Sequence, residues 1–192
     1  MPSLVNVTLP NAFLYYDEWS VINAGELANH PNLIPHSSTA NVFNVNDLNA
    51  LNSTVTEIIV ENRCCRDPSF TVLDLTRFTN VRRIVIGDEA FMYVNVFNIT
   101  GLSELESVMI GMNSFTKKKN GYGSDPNRHF YLKNCPKLRS LKMGRFSFSD
   151  YTVIEIENVD ALEVIEMGDL NEESFNFAYA SLELKSNLIH SA

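Results

Sequence analysis

The chain has 192 residues, of which 45% are hydrophobic and 20% are charged, so it carries enough apolar material for a folded core. Its formal net charge of -8 opposes broad binding to nucleic acid or to anionic membranes, because both attract an excess of Lys and Arg. The sequence contains no run of about 18 apolar residues, and it therefore predicts no membrane span.

Residues 1–50 do not share the pattern that dominates the rest of the chain. They contain a helix-permissive stretch, DEWSVINAGELANH, followed by a proline-bearing loop, HPNLIPHSSTA. The first unit of a repeat array needs a cover for its apolar face. We therefore interpret residues 1–50 as an N-terminal cap or as a diverged first turn that uses the strand-like segment 43–45.

From residue 51 onwards, one apolar pattern returns five times. The segments VTEIIVE, VRRIVIG, LESVMIG, LRSLKMG and LEVIEMG begin at intervals of 26, 24, 33 and 24 residues. An apolar residue, in a short alternating stretch, lies 12 positions before the glycine that ends each of the last four segments. The sequence thus predicts a mainly β fold: a β-solenoid over 51–192 with five to six turns of about 24 residues, each with two short parallel strands.

Two residue types recur at the predicted corners. Glycine follows the first strand at Gly87, Gly111, Gly144 and Gly168, and we expect a corner there that a Cβ atom would hinder. An aromatic residue four positions later is predicted to fill the space between the two sheets. This place is taken by Phe91, Phe115 and Phe148 and by Cys65 in the earlier unit, while the spacing of the last unit slips and offers Phe175 instead.

The 33-residue interval contains an insertion at 116–128, TKKKNGYGSDPNR, which is rich in turn-forming residues. Insertions in solenoids emerge as surface loops and often lie near a binding face, although short charged loops are also common without a partner. We expect a basic, aromatic-bearing projection made of Lys117, Lys118, Lys119, Tyr122 and Arg128.

The alternation within each strand predicts one outward side chain per turn, aligned from turn to turn. The second strand yields a polar row suited to binding a protein or a glycan, and the first strand yields a row that changes from apolar to charged. The apolar part is either a contact patch or a surface covered by flanking structure. The polar row is Asp74, Asn98, Tyr131 and Glu155, and the other row is Ile59, Val85, Met109, Lys142 and Glu166.

The sequence shows no pattern that predicts catalysis, a cofactor or a metal site. Its histidines and cysteines match no zinc-ligand spacing, and it has no nucleophile elbow, phosphate-binding loop or dinucleotide fingerprint. Three cysteines, two of them adjacent, argue against a disulfide framework and favour a reducing compartment such as the cytoplasm. Cys65 is predicted to be a buried structural thiol rather than a nucleophile.

The segments LRSLKMG and LESVMIG resemble the L-x-x-L-x-L core of leucine-rich repeats. The segments IGDEAF and MIGMNSF are similar to the surface-antigen (BspA-like) branch of that family, and the likeness spans roughly residues 51–186. One departure is that glycine directly follows the first strand, while Asn134 and Asn158 follow the second strand. The resemblance implies a solenoid that binds other macromolecules and has no catalytic residues.

We therefore expect a non-catalytic repeat scaffold for protein–protein interaction that requires no cofactor. One alternative is a cell-surface adhesin or glycan-binding protein, as the surface-antigen resemblance would imply. Another is a regulatory repeat segment of a larger enzyme. The candidate partner-binding residues are Asp74, Asn98, Tyr131 and Glu155 on the second strands, and Lys117, Lys118, Lys119 and Tyr122 in the insertion.

Overall fold

A computed structural model describes residues 38–117, 123–169 and 171–186. Within these ranges the chain forms eleven strands and one helix of six residues, which confirms the prediction of a mainly β fold. No helix in this part of the chain is long and apolar enough to cross a membrane. Of the predicted cap, residues 1–37 lie outside the described residues.

The strands fall at the two apolar segments of each sequence repeat. Most of them are three to five residues long, whereas two strands near the insertion are longer. In chain order, the elements are β1 (Thr39–Val42), α1 (Val45–Ala50), β2 (Glu57–Val60), β3 (Val72–Asp74), β4 (Arg83–Ile86), β5 (Val96–Thr100), β6 (Ser107–Ile110), β7 (Asp125–Lys133), β8 (Ser140–Met143), β9 (Tyr151–Glu157), β10 (Val164–Met167) and β11 (Ser181–Lys185).

From β2 onwards, successive strands alternate between two sheets. Sheet A has the order β1-β2-β4-β6-β8-β10, and sheet B has the order β11-β9-β7-β5-β3. All described pairs are parallel and join equivalent positions of successive repeats, as in Ile58 to Ile84 and Ile84 to Val108. The predicted pair of strands per repeat and the parallel pairing are therefore confirmed.

Helix α1 takes the place of a sheet B strand at the start of the array. Strand β1 ends at Val42, and the segment 43–45 forms the entry to α1 rather than a strand. The Asn44 side chain accepts hydrogen bonds from the backbone N–H groups of Asn46 and Asp47, which caps the helix. The helix buries Leu48 in the core, so this short element covers part of the apolar end.

A column of aromatic rings fills the space between the sheets, as predicted. The centroids of Phe91 and Phe115 are 5.2 Å apart, those of Phe115 and Phe148 4.7 Å, and those of Phe148 and Phe177 4.9 Å. The prediction of Phe175 in the last unit is wrong, because its ring stacks on Phe146 outside this column. In the last unit the aromatic residue of the column, Phe177, lies nine positions after its glycine, whereas the predicted Phe175 lies seven positions after it.

The corner glycines permit close approach between successive repeats. A Cβ atom on Gly111 would lie 2.5 Å from the backbone carbon of Gly87, and one on Gly144 would lie 2.6 Å from the backbone nitrogen of Met112. Neither contact leaves room for a side chain. The predicted hindrance is therefore confirmed for these corners, and its cause is contact with the preceding repeat.

We expect Gly144→Ala to destabilise the fold by about 2–3 kcal/mol, because the added methyl group must displace backbone of the preceding repeat. Gly101→Ala is the matched control, since its Cβ would meet nothing within 4 Å and only the φ of +73° is unfavourable. That strain costs about 1 kcal/mol. Urea unfolding measures the free energy of unfolding of both variants. If Gly144→Ala lost no more stability than Gly101→Ala, contact with the preceding repeat would not be the reason for the glycine.

The aromatic column generates a second expectation. Phe115 is completely buried, so Phe115→Ala should lower the free energy of unfolding by about 3–5 kcal/mol through lost packing and a cavity. Phe43, which is 64% exposed, supplies the control, and Phe43→Ala should change stability by less than about 0.5 kcal/mol. Similar losses in the two variants, measured by urea unfolding, would rule out a dominant role for the column.

Candidate binding face

The outer surface of sheet B carries the predicted polar row. The strand register places Asp74 beside Asn98, Asn98 beside Tyr131, and Tyr131 beside Glu155. The next strand extends the row, because Glu183 of β11 pairs with Glu155. Parallel pairing therefore brings together side chains that are far apart in the sequence.

Further polar side chains flank this row, and sequence reasoning had not selected them. They lie two residues before or after the row on the same strands, and alternation places them on the same face. This period of two was the signal that could have identified them. We call the resulting surface the polar face; it consists of Asp74, Asn98, His129, Tyr131, Lys133, Glu155, Glu157, Glu183 and Lys185.

Lys133 connects three members of the polar face. Its Nζ lies 2.5 Å from Glu155 Oε2 and 3.6 Å from Glu157 Oε2, and it lies 5.3 Å from the centre of the Tyr131 ring. The hydrogen bond to Glu155 raises the pKa of Lys133 above its ordinary value. The ammonium group is therefore charged at neutral pH and holds both carboxylates in place.

Tyr131 is oriented by His129. The histidine Nε2 lies 2.9 Å from the carbonyl oxygen of Pro126, and its Nδ1 lies 2.9 Å from the Tyr131 hydroxyl oxygen. A carbonyl oxygen only accepts, so Nε2 donates to Pro126, and the second hydrogen bond joins Nδ1 and the Tyr131 hydroxyl. These contacts hold an aromatic ring in the middle of the polar face before any partner binds.

The insertion differs in part from the predicted basic projection. Strand β7 begins at Asp125, so the last four residues of 116–128 are strand rather than loop. Lys117 is exposed, with its Nζ 5.9 Å from the centre of the Tyr93 ring. Lys118, Lys119 and Tyr122 lie outside the described residues.

Arg128 is completely buried, so its assignment to an exposed basic projection is wrong. Alternation places it on the inner face of β7 with Phe130 and Leu132, and the pairing with β9 is irregular between Asp125 and His129. The alternation was visible in the sequence. The turn-forming residues continue up to position 127, and for this reason the sequence predicts a loop that extends to residue 128.

The buried guanidinium of Arg128 joins three successive repeats. One terminal nitrogen donates to both oxygens of Asp150, at 2.7 and 2.6 Å, and the other donates to the carbonyl oxygens of Met92 and Val94, both at 2.7 Å. The guanidinium carbon lies 4.8 Å from the centre of the Tyr151 ring. This network compensates the desolvated charge and anchors the returning end of the insertion.

Two further contacts complete the cluster around this ion pair. The backbone N–H of Lys117 donates to Asp150 Oδ2 at 3.1 Å, which ties the first residues of the insertion to the same carboxylate. The Tyr151 hydroxyl donates to the carbonyl oxygen of Val94 at 2.7 Å. Burial raises the pKa of Tyr151, so the phenol stays protonated and acts as a donor.

The outer surface of sheet A carries the second predicted row. Ile59, Val85, Met109, Lys142 and Glu166 occupy equivalent positions on consecutive strands. Met109 is exposed, while Ile59 and Val85 are half-buried. The Nζ of Lys142 lies 2.9 Å from Glu166 Oε2, so the row changes from an apolar half to an ion-paired half.

Cys65 and Cys135 have the features of structural thiols. Cys64, Cys65 and Cys135 are all free and buried. The pKa of Cys65 is raised, mainly by its hydrogen bond with Cys64 and also by burial, and burial raises the pKa of Cys135. Both thiols therefore stay protonated at neutral pH. Among the described residues, no three His, Cys, Asp or Glu side chains are grouped as metal ligands would be.

Removing Arg128 tests the role of the buried cluster. Arg128→Met should lower the free energy of unfolding by about 3–5 kcal/mol, because Asp150 would keep a buried, uncompensated charge. Arg83→Met removes an exposed ion pair to Glu57 and should cost less than about 1 kcal/mol. Urea unfolding measures both, and comparable losses would show that the buried pair has no special role.

Comparison with known proteins identified no relative. A scan against protein-family models, a search of curated proteins and a search of solved structures each found no match. The polar face and the Arg128 cluster are therefore interpreted from their own contacts alone.

Proposed function

We propose that this chain is a non-catalytic repeat scaffold that binds a partner protein through the polar face of sheet B. In this proposal the repeats coil as a solenoid of the leucine-rich-repeat kind, and no cofactor is required. The partner presents basic and hydrogen-bonding groups, because four carboxylates and two ammonium groups lie on the polar face.

The regular arrangement of the strands supports the solenoid. Strands of successive repeats pair in parallel at equivalent positions, and those from β2 onwards alternate between two sheets. Such an array buries a continuous core, because each repeat covers the apolar face of its neighbour. Outward side chains then form extended rows, which suit the recognition of a large partner.

The observation that carries the binding proposal is the ordered centre of the polar face. Tyr131 is held by His129 on one side and faces Lys133 on the other, and Lys133 is held by Glu155. All of these side chains stand on strands rather than on loops. Side chains ordered in advance lose less conformational entropy on binding, and tyrosine is enriched among residues that dominate interface energies.

A double substitution tests the polar face. Tyr131→Ala with Glu155→Ala should weaken binding of the partner at least about tenfold, because it removes the aromatic anchor and a charged neighbour. The matched control is Lys142→Ala with Glu166→Ala, which removes an exposed ion pair on the outer surface of sheet A. Wild type and both variants are immobilised in parallel, and proteins retained from extracts of the source cells are quantified by mass spectrometry.

The affinity of each purified candidate for the three proteins is then measured by titration calorimetry. A protein that binds wild type and control equally, and the polar-face variant at least about tenfold more weakly, supports the proposal. Equal affinity for all three proteins would exclude this face. Binding to free glycans in an array, combined with no protein partner, would contradict the choice of a protein as the ligand.

A further inference from the structure

The last strand of each sheet exposes side chains that every earlier repeat buries. Ile165 and Met167 of β10 and Leu182 and Leu184 of β11 point to the inner side, and they are 40–60% exposed. Their paired counterparts in the preceding strands are at most 3% exposed. These counterparts are Leu141, Met143, Ile154 and Ile156.

A cleft opens between the two strands. Its volume is about 190 Å³, and its walls include Ile165 and Met167 on one side and Leu182 on the other, with Phe177 also lining it. Asn176 contributes the polar part of an otherwise apolar lining. The cleft therefore offers a site for apolar side chains.

The backbone of both strands is also available for pairing. Within the described residues, β10 pairs only with β8, and β11 pairs only with β9. The opposite side of each strand consequently presents N–H and C=O groups that another strand can pair with. We call β10 and β11, with their exposed inner side chains, the β10–β11 edge.

We propose that the β10–β11 edge is a self-association site at which two copies of this chain meet across a two-fold axis. Strands related by such an axis pair antiparallel, so β11 of one copy lies beside β11 of the other. The apolar inner side chains of the two copies then cover each other. This dimer shares Glu183 and Lys185 with the polar face, but it requires no partner bound there.

The charges on β11 favour a second copy of this chain as the partner at the β10–β11 edge. Ser181, Glu183 and Lys185 alternate on its outer side, and within one chain the Lys185 Nζ lies 2.6 Å from Glu183 Oε2. Antiparallel pairing centred on Leu184 places Glu183 of each copy opposite Lys185 of the other. Opposite charges that face each other across paired strands stabilise the pairing, and the symmetry produces this contact twice.

The size of the edge sets the expected strength. Strands of five residues span about 17 Å and packed sheets lie about 10 Å apart, so each copy contributes about 200 Å². This area is below that of standard protein interfaces. We therefore expect a weak, reversible dimer whose population rises with protein concentration.

Sedimentation velocity over a dilution series tests the dimer. Wild type should show a concentration-dependent dimer, and Leu184→Ser and Lys185→Glu should each weaken it about tenfold or more. The double exchange Glu183→Lys with Lys185→Glu should restore association, because it recreates both opposed pairs. Lys137→Glu breaks an exposed ion pair with Glu104, away from this edge, and should leave the dimer unchanged.

Leu184 is 60% exposed, so Leu184→Ser should retain the fold, and circular dichroism of each variant verifies this. A wild-type monomer at every concentration would overturn the proposal. Association into chains longer than a dimer would also overturn it, because a two-fold interface closes on itself. A double exchange that associates as weakly as Lys185→Glu would exclude the antiparallel register.

Discussion

Parallel hydrogen bonding between equivalent positions of successive repeats is the constraint on which the other features of this protein depend. Once a strand of one repeat pairs in register with the same strand of the next, residues with the same position in the repeat become neighbours. The phenylalanine column, the corner glycines and the polar face all follow from this relation. The glycines are part of the constraint, because the backbones of successive repeats approach too closely at Gly111 and Gly144 for a Cβ atom.

The long repeat between β6 and β8 shows how this spacing tolerates extra residues. The additional chain is accommodated before the paired part of β7, so Phe130 and Leu132 still contact the equivalent residues of β5 and β9. At that junction the buried ion pair of Arg128 and Asp150 joins the insertion to the repeats before and after it. A charge that is costly to desolvate is compensated here by a set of directed hydrogen bonds, which makes its position specific.

The two proposed contacts use different physical properties of the same array. Most of the polar face lies on β3, β5, β7 and β9, whose inner side chains are buried, so the outward side chains of these strands are held at regular spacing by a rigid base. Within the described residues, no strand pairs with the outer side of β10 or β11, so the apolar side chains of the β10–β11 edge are more exposed than their counterparts in earlier strands. Binding at the face therefore depends on ordered polar groups, and association at the edge depends mainly on apolar burial.

The sequence by itself determined strands β2 to β11, the corner glycines, the alignment of Asp74, Asn98, Tyr131 and Glu155, and most of the aromatic column. These features depend on local periodicity, which is visible without knowledge of distant contacts. Only the tertiary structure decided which groups surround Arg128 and that Phe177 extends the column in place of Phe175. The physical reason is that both residues lie where the repeat spacing is irregular, at the insertion and in the last unit. There the repeat pattern does not indicate which remote groups meet, such as Asp150 with Arg128 and Phe148 with Phe177.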